Sequence, residues 1–194
     1  GNDRAVLTIS KDTTIDLNGH TLTISESGQF FQVESGATLT ITIIDDSKAP
    51  QEEVTPGGDT LYGNKASLTD DTLTYYITTS TPNDTGTTET LEQHTVTLTG
   101  AILCAEGSDQ AIKVNGGTLD IQGGALRNSS GKRIVLMESG TLTMSGGYIV
   151  GGGSNGTPGG GIYVENGTVN IQGGVIAANR GSSGGGIFFK NGTL

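Results

Sequence analysis

The sequence predicts an all-β fold in which short strands wind into stacked coils, three strands and three turns to a coil. Three observations carry that expectation. The last third of the chain repeats itself as Gly117-Thr118-Leu119-Asp120-Ile121-Gln122-Gly123-Gly124, Gly140-Thr141-Leu142-Thr143-Met144-Ser145-Gly146-Gly147 and Gly167-Thr168-Val169-Asn170-Ile171-Gln172-Gly173-Gly174. The threonines opening these copies, with Thr193 of a fourth, lie 23, 27 and 25 residues apart, a period that marks a solenoid. Within each copy apolar and polar residues alternate, as in a strand with one buried face. Finally, 33 glycines stand against 4 prolines in 194 residues. Collagen would need far more proline and a strict triplet, and a disordered linker would lack the interleaved Ile, Val and Leu.

The elements follow in order. Val6 to Ile9 and Thr14 to Leu17 form the opening turn, and Thr21-Leu22-Thr23-Ile24 and Thr38-Leu39-Thr40-Ile41 are strands with Phe31 and Val33 on a strand between them. Thr95-Val96-Thr97-Leu98 lies 23 residues before Thr118 and reads as the start of another coil. In each coil two glycines turn the corner to a second strand, whose inward residue is Ile102, Leu126, Ile149 or Ile176. A third strand carries inward pairs: Ile112 and Val114, Val135 and Met137, Ile162 and Val164, Ile187 and Phe189. Stacking then places Leu22, Leu39, Val96, Leu119, Leu142 and Val169 in one inward ladder. The count is about six coils, and at roughly 4.8 Å per stacked strand the cylinder is about 30 Å long. Glycine density and β-branched content oppose helix. Residues 1–194 form a single domain, read as a mature fragment whose last coil continues beyond Leu194.

Residues 45–93 break the pattern. They hold Pro50, Pro56 and Pro82 and the tyrosines Tyr62, Tyr75 and Tyr76, and Thr72 to Ser80 alternates as a strand before the turn-forming Pro82-Asn83-Asp84-Thr85-Gly86. The expected insert is a hairpin projecting from the cylinder. It also holds ten acidic residues and two lysines (Lys48, Lys65), a net of −8 out of the chain's −10. Such a charge opposes binding to nucleic acid and to anionic membrane, and no apolar run is long enough to insert in a bilayer. Cys104 is the only cysteine, so there is no intrachain disulfide and no cysteine-based metal site.

Three segments carry a resemblance: Thr14-Ile15-Asp16-Leu17-Asn18-Gly19-His20-Thr21-Leu22-Thr23-Ile24, Glu34-Ser35-Gly36-Ala37-Thr38-Leu39-Thr40-Ile41, and Gly159-Gly160-Gly161-Ile162-Tyr163-Val164. Together they resemble the glycine-rich right-handed parallel β-helix (pectin-lyase-like) regions of large secreted or cell-surface proteins of Gram-positive bacteria. The likeness covers residues 5–44 and 95–194. It implies an extracellular, adhesin-like module, noncatalytic, serving as a spacer or binding a polysaccharide, a host surface glycan or a host protein. Because pectate lyases and polygalacturonases share the fold, the alternative is a carbohydrate-active enzyme, a polysaccharide lyase or glycoside hydrolase acting on acidic polysaccharide. Such chemistry needs a cleft lined by carboxylates, alone or with Arg or Lys. Asp45-Asp46 and Asp70-Asp71 are the adjacent aspartate pairs, and neither sits beside the Gly-His-Gly or Arg-x-Lys companions of polygalacturonases. Arg127 and Arg133 could lie on one coil, but they have no ladder of acids beside them.

The candidate ligand contacts come from register. On the third strand, the outward position between the two inward ones is Lys113, Leu136, Tyr163 and Phe188 in successive coils. Leu136, Tyr163 and Phe188 would make an apolar stripe of the kind that marks an interaction site, and rings can stack on sugar faces. Tyr75 and Tyr76 join them because long insertions in a solenoid gather on one face, often the binding face. Other features have plainer readings. Thr21, Thr23, Thr38, Thr40, Thr95, Thr97, Thr118, Thr141, Thr143 and Thr168 form an outward array, as in ice-binding solenoids, yet threonine suits any solvated strand and Asp120 and Asn170 interrupt it. Asp45, Asp46, Asp70 and Asp71 could hold calcium, but no calcium-loop spacing supports it and the insert reads as a solvated acidic loop. Cys104 takes an inward position and is a small buried residue, while His20 and His94 read as solvated. No cofactor and no metal is expected. An open coil end exposes backbone and apolar side chains, which also allows end-to-end self-association.

Overall fold

Residues 6–25, 30–57, 66–84, 86–105 and 110–194 are described by the structure, a computed structural model. The fold is the expected all-β solenoid, 57% strand and 2% helical, with parallel strands stacked in about six turns. Among the described residues helix is confined to a single 3-10 turn, Asp46–Lys48, and no helix there is long and apolar enough to cross a membrane.

The first coil comprises β1 (Val6–Ile9), β2 (Thr13–Asp16) and β3 (Thr21–Ile24), and the second starts with β4 (Phe30–Glu34) and β5 (Thr38–Thr42). The chain then leaves the cylinder for β6 (Glu52–Pro56), β7 (Ser67–Thr69), β8 (Thr72–Asn83) and β9 (Gly86–Thr97), and returns to finish the second coil with β10 (Ala101–Cys104). The third coil is β11 (Ile112–Ile121) and β12 (Ala125–Asn128), and the fourth is β13 (Val135–Met144) and β14 (Tyr148–Val150). Both β11 and β13 run through a corner, where the register shifts between Val114 and Thr118. The fifth coil is β15 (Ile162–Val164), β16 (Thr168–Ile171) and β17 (Val175–Ala177), and the sixth is β18 (Ile187–Phe189) with a bridge from Thr193 to Thr168.

Three parallel ladders form the faces. The first joins β1, β4, β11, β13, β15 and β18; the second joins β2, β5, β11, β13 and β16; the third joins β3, β10, β12, β14 and β17. Their inward residues stack in files such as Phe31, Ile112, Val135, Ile162, Ile187 and Leu39, Leu119, Leu142, Val169. Ile112, Val114, Leu119, Ile121, Leu126, Val135, Met137, Leu142 and Met144 are fully buried, and burial of each such side chain stabilises by about 1.5–3 kcal/mol. Cys104 is buried and in register with Asn128, as expected. The Gly-Thr repeat has a steric cause at one corner. Gly140 (φ +102), Gly167 (φ +128) and Gly192 (φ +128) stack there, and a Cβ on any of them would strike the carbonyl oxygen of the glycine one coil earlier: Gly117, Gly140 and Gly167.

The structure corrects the register at two places. Thr118 to Ile121 pair directly with Thr38 to Ile41, while Thr95 to Thr97 belong to β9 and pair antiparallel with β6 and β8. Val96 is therefore absent from the inward ladder of Leu39, and the insert runs on past residue 93. Leu22 stacks instead on Ile102 in the third ladder. The outward threonine array shrinks accordingly to Thr38, Thr118, Thr141 and Thr168 in one file and Thr40, Asp120, Thr143 and Asn170 in the next.

Candidate functional site

The insert is a four-stranded antiparallel sheet in the order β6, β9, β8, β7. Its base lies against the third ladder instead of projecting. The outward residues of that ladder are Ala101, Ala125, Tyr148 and Val175 in one file and Leu103, Arg127, Val150 and Ala177 in another. Such residues would be poor choices for a solvated face, and they are covered. Leu73, Val96 and Leu98 of the insert close a second core with Ala101, Ala125 and Val150, flanked by Leu68, Tyr75, Tyr148, Val175 and Ala177. Beyond this base the hairpin does extend into solvent: residues 79–82 and 86–90 are exposed.

Tyr75 and Tyr76 diverge because neighbours on a strand point to opposite faces. Tyr75 stacks on His94 with ring centroids 4.8 Å apart and donates its hydroxyl to Glu52. Burial first, and then the Glu52 carboxylate, pushes its phenol well above the ordinary tyrosine range. Tyr76 donates to Gln93 Oε1 at 3.2 Å. His94, expected to be solvated, is buried, with Nδ1 3.2 Å from Glu52 Oε1. His20 is exposed, as expected.

A cleft of about 780 Å³ opens where the insert meets the third ladder, lined by Leu68, Asp70, Asp71, Arg127, Asn179 and Arg180 among others. Asp70 and Asp71 are the two residues of a tight turn closed by the Thr69–Thr72 pair, and Asp70 adopts φ +51 there. Arg127, on β12, reaches across: its guanidinium pairs with the Asp71 carboxylate and donates to the Asp70 carbonyl. Arg127 is buried while the Asp71 side chain is 68% exposed, so the pair seals the cleft wall from within. The acid missing from Arg127's own coil thus comes from the insert. Asp45 and Asp46 lie elsewhere, in the 3-10 turn, where Asp45 accepts from the Ser47 amide and hydroxyl, bonds that hold its carboxyl below the usual range. The four aspartates are therefore split, and among the described residues no three of His, Cys, Asp and Glu gather as a metal site.

The stripe lies on the first ladder, in the register expected: Lys113, Leu136, Tyr163, Phe188. All three apolar members are half-buried. Tyr163 and Phe188 stack at 5.4 Å with planes 21° apart, and the Arg133 guanidinium stands 4.2 Å over the Tyr163 ring. Arg133 enters from the coil before Tyr163 and Phe188 from the coil after, so the Tyr163 ring is sandwiched and shows an edge, not a face, to a ligand. Beside the stack is a depression of about 350 Å³ lined by Gln110, Lys132, Arg133, Leu136, Thr157 and Pro158.

Stripe and insert tyrosines therefore do not form one surface. The cleft was missed in sequence because its Arg and Asp lie 56 positions apart. The readable signal was an outward strand file of alanines, valine and tyrosine, which requires a cover. No protein-family model, no curated protein and no solved structure matches this chain, which leaves the chemistry of its two surfaces as the ground for a function.

Proposed function

We propose that this chain is a noncatalytic, surface-exposed β-helix module of a secreted or cell-surface bacterial protein, adhesin-like in role, which holds a glycan in the cleft between its insert and its third ladder. The observation that carries this reading is the Arg127–Asp71 pair. General acid–base catalysis needs a side chain whose proton is free to move to or from the substrate. Here the buried cation and the carboxylate opposite it are engaged in joining insert to cylinder. What remains facing the cleft is Arg180, the Asp70 carboxylate and the Ser67 hydroxyl, donors and acceptors suited to sugar hydroxyls in a cavity of ordinary ligand-site volume. A glycan array tests it. The wild type is expected to retain a defined set of glycans and Arg180→Ala to lose them, whereas a wild type that retains none overturns the reading.

A second reading has one observation in its favour. Asp70 and Asp71 share the cleft with Arg127 and Arg180, the carboxylate-with-arginine lining that a lyase or hydrolase of acidic polysaccharide would use. Incubation with polyuronate, followed by assay for unsaturated products and new reducing ends, separates the two: any turnover lost in Asp70→Asn favours the enzyme.

A further inference from the structure

We infer that the depression bounded by Lys132, Arg133 and Leu136 is a second ligand site, distinct from the cleft, which binds the oxyanion of an acidic saccharide. The stack is what prepares it. Held with its central carbon 4.2 Å over the Tyr163 ring, the Arg133 guanidinium keeps a fixed position from which its N–H fork can match two oxygens of a carboxylate or sulfate. Among the described residues, no carboxylate lies within salt-bridge distance of Arg133 and no acceptor takes a hydrogen bond from its guanidinium. The acid that acts on it, Glu165, is itself bonded to Lys190 at 2.6 Å.

Local charge points the same way. The chain carries −10 overall, yet among the described residues the stack is flanked by four cations, Lys113, Lys132, Arg133 and Lys190, and by the carboxylates of Glu138 and Glu165. Lys113 is paired with Glu138 at 2.9 Å and Lys190 with Glu165, so among the described residues Lys132 and Arg133 are the two cations of the group without a salt-bridge partner. Burial draws the Arg133 guanidinium below its ordinary value despite the opposing pull of Tyr163 and Glu165, a desolvation cost that an incoming anion would relieve. The rest of the lining favours a sugar over a bare ion: Leu136 and Pro158 supply apolar walls for a pyranose, Gln110 supplies an amide for its hydroxyls, and about 350 Å³ is the low end of ligand-site volumes.

The test uses the whole chain and three probes in titration calorimetry: a glucuronate-containing tetrasaccharide, the same tetrasaccharide with its carboxyls reduced to alcohols, and that reduced tetrasaccharide bearing a sulfate ester. The expected result is binding of at least one anionic probe roughly tenfold or more tighter than of the reduced one, as a charge-assisted hydrogen bond implies, with affinity falling as salt rises. Lys132→Ala, at an exposed position, should weaken it several-fold, and Arg133→Lys should weaken it further because the fork is lost though the charge stays. The two anionic probes tell a carboxylate site from a sulfate site. Equal affinity for the reduced probe, or anion binding unchanged in both variants, overturns this inference and leaves the cleft reading standing. Loss of anion binding in Arg180→Ala with both other variants unaffected assigns the anion to the cleft instead, and no binding of any probe overturns the second site outright.

Discussion

Asp71 of the insert and Arg127 of the third coil form an ion pair across 56 residues of sequence, with the arginine buried and the aspartate largely in water. This pair and the second core are what hold insert to cylinder. Arg127→Ala removes the bonds to both Asp70 and Asp71. Because Asp71 remains solvated, the loss is smaller than for a fully buried pair: we expect about 1–3 kcal/mol, read as a lower urea midpoint. Arg127→Lys should recover only part of it, since one ammonium cannot serve carboxylate and carbonyl in the same fork.

Leu73 is fully buried in the second core. Leu73→Ala is expected to cost about 2–5 kcal/mol and to release the insert before the coils open. Hydrogen exchange would show it: amides of β8 and β9 should lose protection while those of β11 and β13 keep theirs. Simultaneous loss in both would mean that insert and cylinder unfold as one unit.

The stacked corner glycines give a sharp contrast. Gly140→Ala forces a Cβ into the Gly117 carbonyl at a φ of +102 and should destabilise by about 2–4 kcal/mol. Gly156 has open space around its Cβ position and no such φ, so Gly156→Ala should leave the melting temperature unchanged or raise it slightly. Equal effects of the two substitutions would refute the steric account of the repeat.

Tyr75 predicts a pH dependence. Its phenol holds its proton more tightly in the folded chain than at the ordinary value of 10.0. The stability this represents is therefore complete below pH 10 and is lost progressively as pH rises above it. Urea midpoints at about pH 8 and about pH 11 should differ. In Tyr75→Phe the difference should shrink, though Tyr148, whose phenol is also raised by burial, will keep some of it.

Much of this architecture was legible in the chain because alternation and glycine corners fix a coil almost residue by residue. The second-strand file Ile102, Leu126, Ile149, Ile176 and the stripe Leu136, Tyr163, Phe188 were placed correctly from spacing alone. Thr95-Val96-Thr97-Leu98 was misplaced for a physical reason. A strand with one buried face alternates in the same way whether its partner is a parallel coil or an antiparallel hairpin, and the 23-residue spacing to Thr118 is a coincidence of length. The cleft was harder still, because an ion pair between Asp71 and Arg127 leaves no local trace. What local sequence did hold was Arg127 standing outward among Ala101, Ala125, Tyr148 and Val150, a cation where the neighbours demand a cover.

The excursion between β5 and β10 leaves every ladder intact: β5 pairs with β2 and β11, and β10 with β3 and β12, as though the chain had turned an ordinary corner. That corner is a socket. Since loop closure grows only logarithmically with length, a different polypeptide could occupy it at little thermodynamic expense to the coils, provided it brought a greasy underside to fit the strip from Ala101 to Val150. The cylinder can thus serve as a chassis on which the gripping part is exchanged by recombination at one joint, and a lineage could change what it holds without revising how it folds.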